Sequence, residues 1–443
     1  MKPRPQDVRS SAAWALDRIL GSKAPADQTL SRAAQPLSDR DTRLLRELVM
    51  GSLRWLRRLD QVIVAASSRR WRDIDSRLWS PLRVGAYQVL FLDRIPTHAA
   101  VDRAVDEAGR RTHRKGAGFT NAVLRRLARD PHLEAWPVTE KDAIRELAVE
   151  TSHPDFLVRR WLDRFGEETT RQLLAANNRV KPLHLLAFRD RDGRQRLVNE
   201  LAAENVLAEL SVVSPLGLIV RKGEALTTRA FERGDFYVQD EASQAAALVP
   251  PPAPGERVLD VAAAPGGKTF ALLAAESDTR VMAADLSLSR LRTLHTNAAR
   301  LRRQVPKLVA NGLELPCRDS FQRVVLDAPC TGTGTFRKHP ELKWRISESE
   351  IHRLGGQGVD LVKSAAGCVA PGGLLVIITC SLEPEENELV VEAFLSQSRD
   401  FELVPLASEL PSPQVNWTIA AGLWRILPAG DHDGFTVQVL RLA

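Results

Sequence analysis

Cysteine, tyrosine and methionine are all scarce in this sequence. Four cysteines, two tyrosines and three methionines occur among 443 residues, and none of the cysteines forms a Cys-x-x-Cys pair. This scarcity excludes a disulfide-stapled scaffold and argues against a structural zinc site. The sequence also lacks an apolar run of about 18 residues and an N-terminal segment of the signal-peptide type. We therefore expect a cytoplasmic protein with no membrane span.

Charge is present in ordinary amount but is unevenly placed. Charged residues make up 26% of the chain and hydrophobic residues 44%, which suits a folded protein with full cores. Residues 1–130 contain 26 Lys and Arg against 14 Asp and Glu, whereas the remainder contains 36 against 41. The whole basic excess thus lies in the first third. Such a segment suggests contact with a polyanion, with a solvated Arg-rich surface as the alternative.

Three regions differ in their secondary-structure pattern. Apolar residues recur at helical spacing through the first 130 residues, which predicts an all-α bundle. Short strands at 183–188, 210–213 and 216–220 around one helix predict a small α/β middle subdomain. After the proline-rich stretch 250–255, strands alternate with helices, which predicts a parallel sheet with helices on both faces. The expected fold class is therefore α/β, with an all-α N-terminal bundle and a C-terminal Rossmann-like sheet.

A glycine-rich turn joins the first strand of this sheet to the next helix. Residues 258–269 read VLDVAAAPGGKT, which matches neither G-x-G-x-x-G nor G-x-x-x-x-G-K-[ST]. Glycines let the backbone approach a ligand, and the helix N-terminus beyond them attracts electron-rich groups. Asp285 ends the second strand, where a carboxylate can hold a ribose diol. These features predict a nucleoside-bearing cofactor, the alternative being an ordinary turn and a surface Asp.

Two cysteines each come at the end of an apolar strand. Cys330 follows VVLDAP and Cys380 follows LLVIIT. Because ligands of open α/β sheets bind at the carboxyl ends of the strands, we expect both thiols and Asp327 at the edge that carries the glycine-rich turn. A lone cysteine is usually an inert hydrophobe, but two at this edge indicate covalent catalysis. A thiolate that adds to C6 of a cytosine makes C5 able to attack an electrophilic methyl group.

The motifs APGGKT, DAPCTGTG and TCSLEPEENE, in that order, resemble those of the RNA 5-methylcytosine methyltransferases of the RsmB/Sun/Fmu family. The first third resembles a NusB-like helical domain through GSLR at 51–54 and GFTNAVLRRL at 118–127. The resemblance implies methylation of cytosine C5 in small-subunit (16S) ribosomal RNA, by a protein that we expect to be a monomer without a metal. It implies a NusB-like helical RNA-binding domain over 1–135, linker helices and a small α/β subdomain over 150–235, and a methyltransferase domain dependent on S-adenosyl-L-methionine over 236–443.

The resemblance also implies roles for individual residues. Cys380 would be the nucleophile that bonds to C6, Cys330 would assist product release, and Asp327 would lie between the cofactor and the target base. Asp285 would hold the ribose hydroxyls of S-adenosyl-L-methionine. Asn311 stands where the family has an Asp that contacts adenine, and it offers a carbonyl without charge. The cradle for the methionine part of the cofactor would comprise Ala262, where the family usually has Cys, and Ala263, Ala264, Pro265, Gly266, Gly267 and Lys268.

Two other functions remain open at this point. The same chemistry acting on transfer RNA is one, and a non-catalytic RNA-binding assembly factor with a relic cofactor fold is the other. The presence of Cys330, Cys380 and Asp327 argues against the relic. Cys317 and Cys368 lack a comparable setting and are assigned no function.

Overall fold

The computed structural model describes residues 7–22, 24–188, 191–405, 417–420, 422–428 and 430–443. The chain divides into two compact units. The first comprises Met1–Arg179 and Phe336–Arg345, and the second comprises Val180–Thr335 and Ile346–Ala443. Across the described ranges, no helix is both long and apolar enough to cross a membrane.

The first unit is built from helices, as the periodicity of its apolar residues predicts. Asp7 and Ser38 cap the first and third helices through their side chains. Leu16, Leu48 and Leu82 are fully buried in the core between the helices. The helices are α1 (Val8–Gly21), α2 (Ala26–Ala34), α3 (Asp39–Arg54), α4 (Leu56–Ser67), α5 (Trp79–Phe91), α6 (Thr97–Arg111), α7 (Arg114–Arg129), α8 (Ala143–Glu150) and α9 (Asp155–Asn177).

A short segment from later in the chain completes the first unit. It contains the 3-10 helix Pro340–Trp344, in which Lys343 is fully buried. Nζ of Lys343 donates to the carbonyl oxygens of Arg54 at 2.7 Å and Ser152 at 2.9 Å, and to Oδ1 of Asn178 at 3.1 Å. Three acceptors offset much of the cost of burying this group, which explains how a lysine is held inside a helical core.

The second unit contains a small antiparallel sheet in the order β2-β3-β1-β4. The predicted strand at 210–213 is wrong in position, because β2 ends at Leu210. The Ser211 hydroxyl then accepts the N–H groups of Val213 and Ser214 and turns the chain. The elements are β1 (Leu183–Ala187), α10 (Arg191–Ala203), β2 (Leu207–Leu210), β3 (Gly217–Lys222), α11 (Arg229–Arg233) and β4 (Phe236–Val238).

A larger sheet of nine strands follows, in the order β11-β12-β13-β9-β8-β5-β6-β7 with β10 paired to β13. The predicted parallel arrangement holds from β7 to β9. The last strands pair antiparallel, which the βα alternation does not predict. The elements are α12 (Glu241–Ala247), β5 (Arg257–Val261), α13 (Gly267–Ala275), β6 (Arg280–Asp285), α14 (Leu288–Arg300), β7 (Lys307–Val309), β8 (Phe321–Asp327), α15 (Glu348–Ala366), β9 (Val369–Thr379), α16 (Glu388–Leu395), β10 (Phe401–Leu403), β11 (Trp417–Ala420), β12 (Leu423–Ile426) and β13 (Phe435–Leu442).

The four cysteines separate into two pairs. A disulfide joins Cys317 to Cys368, the two cysteines to which the sequence assigns no function. Cys330 and Cys380 are free cysteines. The α/β fold class is confirmed, with a helical first unit and a mixed sheet in the second.

Candidate active site

Cys330 and Cys380 lie next to each other beyond the ends of β8 and β9. Their sulfur atoms are 3.4 Å apart, although the residues are 50 positions apart in sequence. They meet because β8 and β9 are parallel neighbours. The loop after Cys330 returns to the same place, since the N–H of Gly334 donates to the carbonyl of Cys380 at 2.9 Å. A Cβ at Gly334 would lie 2.5 Å from the carbonyl oxygen of Gly434, so this approach requires glycine.

A buried lysine pairs with Asp327 beside the thiols. Nζ of Lys268 donates to Oδ2 of Asp327 at 2.9 Å and lies 4.9 Å from the ring centroid of Phe435. Burial by itself would lower the pKa of Lys268, but the charge of Asp327, the hydrogen bond to it and the charge of Cys380 outweigh burial and raise the pKa. Lys268 therefore stays an ammonium ion that faces both a carboxylate and a potential thiolate.

The electrostatic surroundings of Cys330 disfavour its ionised form. Its hydrogen bond with Cys380 and its burial raise the pKa of the Cys330 thiol well above the usual value, and the negative charges of Cys380, Glu386 and Asp327 raise it further. A cationic group faces Cys380, whereas carboxylates surround Cys330. Cys330 is therefore a thiol that keeps its proton.

The glycine-rich turn lies at the same end of the sheet. Gly266 has φ +113°, and a Cβ there would lie 2.4 Å from the Phe270 ring, so glycine is required. Asp285 lies against the turn, because the N–H of Ala264 donates to its Oδ2 at 3.2 Å. Its Oδ1 accepts the N–H of Ser287 at 2.8 Å. The Arg290 guanidinium also lies 3.5 Å from Oδ2 of Asp285. A carboxylate has about four acceptor positions, so these contacts leave capacity for a ribose hydroxyl.

The remaining predicted cofactor residue follows β7. The N–H of Ala310 donates to the carbonyl of Asp285 at 3.2 Å, which brings Asn311 close to Asp285 in the backbone. Oδ1 of Asn311 accepts the N–H of Leu313 at 3.1 Å, and its side chain is exposed. The structure therefore brings the predicted residues together as two groups, the thiols with Asp327 and the turn with Asp285. Lys268 joins both, since its backbone belongs to the turn and its side chain reaches Asp327.

Sequence reasoning missed a buried carboxylate beside the thiols. Glu386, which is 4% exposed, accepts hydrogen bonds from Thr331 and Ser381, the residues that follow Cys330 and Cys380. The available signal was the acidic stretch EPEENE, which begins three residues after the second cysteine. Acidic residues at the end of a strand usually lie in solvent, and nothing local indicates that this one turns inward.

Three family models match the chain. The NusB family matches residues 6–129, a ferredoxin-like domain of RsmF/B-like methyltransferases matches 153–227, and 16S rRNA methyltransferase RsmB/F matches 247–441. The ribosomal RNA small subunit methyltransferase B of Pseudomonas putida is 34% identical over 439 residues, which cover 96% of each chain. This chain belongs to the RsmB/F methyltransferase family. The family resemblance drawn from the three motifs is thereby confirmed.

Another curated relative and two solved structures are also similar to this chain. The probable ribosomal RNA small subunit methyltransferase B of Bacillus subtilis is 30% identical, with 98% of both chains covered. Among solved structures, the protein PH0851 is 27% identical with a TM-score of 0.79 over 98% of both chains. A methyltransferase homologue from Pyrococcus horikoshii is 26% identical with a TM-score of 0.58, covering 69% of this chain and 100% of that one.

A second buried carboxylate makes the stability of this RsmB/F chain depend on pH. Asp260 is fully buried in β5, and burial raises its pKa to about 7 despite a hydrogen bond from the Thr269 hydroxyl. A carboxylate whose pKa is higher in the folded state stabilises the protein below its unfolded pKa of about 3.9. That contribution is lost as the pH rises through about 7.

We expect Asp260→Asn to remove the loss of folding stability that ionisation of Asp260 causes. Relative to the wild type, the free energy of unfolding of the variant rises by up to about 4 kcal/mol between pH 4 and pH 8, taking about 1.4 kcal/mol for each unit of pKa. Thermal unfolding of both proteins at pH 5, 6, 7 and 8 measures the trend, with exposed Asp278→Asn as the control. A difference between Asp260→Asn and the wild type that is constant across this range would contradict the expectation.

Proposed function

We propose that this protein transfers a methyl group from S-adenosyl-L-methionine to C5 of a cytosine in small-subunit (16S) ribosomal RNA, through a transient bond between Cys380 and C6. The observation that carries the proposal is the contact between the Cys330 and Cys380 sulfur atoms beside the Lys268–Asp327 pair. Attack by one nucleophile requires only one thiol. A covalent intermediate forms in that attack and must later be released, and a second thiol can assist the release.

Each group in the site has a task in this reaction. The Cys380 thiolate bonds to C6, and the electron pair of the C5–C6 double bond becomes available at C5. S-adenosyl-L-methionine supplies the electrophilic methyl group when it is bound. Asp327 contacts N3 and the exocyclic amine of the base, while Lys268 holds the Asp327 carboxylate in place. Transfer of the C5 proton to a base such as water then restores the C5–C6 double bond as the Cys380–C6 bond breaks. The electron pair of that bond returns to the Cys380 sulfur, and Cys330 assists this release.

The residues present suit the proposed cofactor. In the glycine-rich turn Gly267 is half-buried and has no side chain over its backbone, and Asp285 retains acceptor capacity for a ribose hydroxyl. Asn311, close to Asp285 in the backbone, would contact the adenine. The charge of Asp is missing there, so we expect cofactor affinity to depend on the turn and on Asp285.

The target base must leave its stack to reach the thiols. A side chain at the edge of a sheet cannot enter a base pair, so a loop cytosine or a flipped one is expected. In this proposal the first unit binds the RNA backbone. Residues 1–135 are thus assigned to RNA binding, and the residues from 236 onward are assigned to methyl transfer. The small α/β subdomain of 150–235 lies between these two regions in sequence.

One surface of the first unit is suited to RNA. The segment after α4 runs along α7, with Nη1 of Arg126 donating to Oγ of Ser68 at 3.0 Å and the Arg69 guanidinium 5.0 Å from the Phe119 ring centroid. Helix α7 contains five basic residues and no acidic one. We name as the basic strip the exposed side chains of Arg69, Arg72, Arg114, Lys115, Arg125 and Arg129.

An aromatic platform accompanies the basic strip. Trp71 is 47% exposed and stacks on Trp79, with ring centroids 3.6 Å apart. The Arg83 guanidinium lies 5.2 Å from the Trp79 ring centroid and forms an ion pair with Asp60 at 2.7 Å. An aromatic ring already held in place loses little entropy when a base stacks on it, and stacking is the common mode of binding unpaired bases.

We expect loss of charge on the basic strip to weaken RNA binding in a salt-dependent way. The triple variant Arg72→Gln, Arg114→Gln, Arg129→Gln lowers the slope of log affinity against log salt by up to about three, one for each phosphate that the protein no longer neutralises. Filter binding to 16S ribosomal RNA at several salt concentrations measures the slope. Exposed Arg32→Gln on α2 is the control, and an unchanged slope in the triple variant would remove the strip from the proposed interface.

The decisive test of the proposed function is a map of methylated cytosines. Bisulfite sequencing of total RNA from a strain that lacks this protein should show one or more unmethylated cytosines in 16S ribosomal RNA, restored by the wild-type gene. Sites lost from transfer RNA instead would favour the same chemistry on that substrate. An unchanged map, together with no binding of S-adenosyl-L-methionine by calorimetry, would favour a non-catalytic assembly factor.

A further inference from the structure

Glu386 contacts the two thiol-bearing loops with one carboxylate. Its Oε1 accepts the N–H of Thr331 at 2.7 Å, and its Oε2 accepts the Thr331 hydroxyl at 2.7 Å. The same Oε2 accepts the Ser381 hydroxyl. Thr331 directly follows Cys330, and Ser381 directly follows Cys380. A single side chain therefore binds the neighbour of each cysteine.

The geometry of this contact is that of a rigid connection. Glu386, Thr331 and Ser381 are all buried, so the hydrogen bonds do not compete with water. Hydrogen bonds to an ionised carboxylate are stronger than neutral ones. Burial raises the pKa of Glu386, while the Ser381 and Thr331 hydrogen bonds act in the opposite direction.

Asn387, the residue after Glu386, differs from it because its side chain contacts only the loop that contains Cys380. Nδ2 of Asn387 donates to the carbonyl oxygens of Ser381 at 3.1 Å and Glu383 at 2.7 Å. Its Oδ1 accepts the Thr379 hydroxyl at 2.6 Å. Asn387 thus fixes the residues on either side of Cys380, whereas Glu386 reaches across to the residue after Cys330, 55 positions away.

We propose that Glu386 is a positioning residue that holds Cys330 at a fixed place relative to Cys380. In that place Cys330 releases the product as fast as Cys380 attacks the base. This inference rests on the proposed function, because it assumes that Cys380 attacks and that Cys330 is needed for release. Without the Glu386 carboxylate, the loop after Cys330 loses two of its hydrogen bonds and Cys330 moves away from the adduct. Attack by Cys380 continues, since Asn387 still holds its loop.

The test compares Glu386→Ala with Glu386→Gln on unmethylated 16S ribosomal RNA. For Glu386→Ala we expect turnover to fall by about 10²-fold, the usual effect of a displaced catalytic group, with KM for RNA unchanged. The fraction of protein in a covalent RNA complex on a denaturing gel should rise, as in Cys330→Ala. In Glu386→Gln the amide oxygen still accepts the Thr331 N–H and the amide nitrogen donates to the two hydroxyl oxygens, so we expect most of the turnover to be restored.

Asn387→Ala is the matched control for damage to a single loop. It should lower complex formation and turnover together, with no accumulation of the complex. Glu386→Ala behaving in the same way, or turning over like the wild type, would overturn the inference, as would failure of Glu386→Gln to restore turnover. Should Glu386→Ala not fold, the pair Thr331→Val and Ser381→Ala removes the hydroxyl partners, and it must also accumulate the complex.

The outcomes also separate this inference from the proposed function. A wild-type protein that methylates without any covalent complex, together with an active Cys380→Ala, would defeat both. A complex that accumulates in Cys330→Ala but not in Glu386→Ala or the hydroxyl pair would leave the proposed function standing and defeat only the role of Glu386.

Discussion

Cys380→Ala should lose methyl transfer to 16S ribosomal RNA by about 10⁴-fold or more, the scale seen when a covalent nucleophile is removed. The sulfur atom of Cys380 lies beside the Lys268–Asp327 pair, and in the proposed reaction C5 becomes reactive only after sulfur bonds to C6. Incorporation of a radioactive methyl group from S-adenosyl-L-methionine measures the loss. A denaturing gel measures the covalent RNA–protein complex, which should be absent.

Cys330→Ala provides the contrast for this prediction. It keeps Cys380 and removes the sulfur atom 3.4 Å away, so attack should proceed and release should fail. We expect an accumulated complex with little turnover. Methylation at the wild-type rate in Cys380→Ala, with both variants folded, would show that no bond forms between residue 380 and the base.

Lys268→Met should lower turnover by about 10²- to 10³-fold, the usual effect of losing one preorganised electrostatic partner in an active site. The ammonium forms a hydrogen bond with Asp327 at 2.9 Å, and the charge of an ionised Cys380 would attract it. Methionine keeps an unbranched side chain that is one atom shorter, and it removes the charge. The rate of covalent complex formation in single-turnover experiments measures the effect directly.

Cofactor affinity distinguishes two roles for Lys268. The sequence places it in the cradle for the methionine part of the cofactor, whereas the structure turns its side chain toward Asp327. We therefore expect calorimetry to show S-adenosyl-L-methionine binding that changes much less than the rate, with exposed Lys363→Met on α15 as the control. Loss of cofactor binding with an unchanged rate of complex formation would assign the side chain to the cofactor instead.

The two thiols show how far sequence reasoning reaches. Cys330 and Cys380 each follow an apolar strand, and the βα alternation predicts that these strands are parallel, so their shared edge was predictable without a structure. Asp285 and the glycine-rich turn were predictable for the same reason. The parallel pairing of β5, β6, β8 and β9 accounts for all of these positions.

Elements whose placement depends on non-local contacts were predicted less well. Among the described residues between the antiparallel strands β12 and β13 there is no helix, so the alternation that identified the parallel strands carries no information about them. The strand predicted at 210–213 failed because the hydroxyl of Ser211 forms a turn through contacts that periodicity does not express. The disulfide between Cys317 and Cys368 joins residues 51 positions apart.

The amino-acid sequence by itself determined the helical first unit, the alternation of strands and helices in the parallel part of the larger sheet, the family, and the end of the sheet at which the chemistry-bearing residues gather. Those properties depend on periodicity and on strand direction, which are local. Only the tertiary structure decided which side chains face each other: Lys268 with Asp327 across 59 positions, and Glu386 with Thr331 across 55. Such partners are selected by packing and by the need of buried polar groups for hydrogen bonds, which act between residues that are distant in the chain.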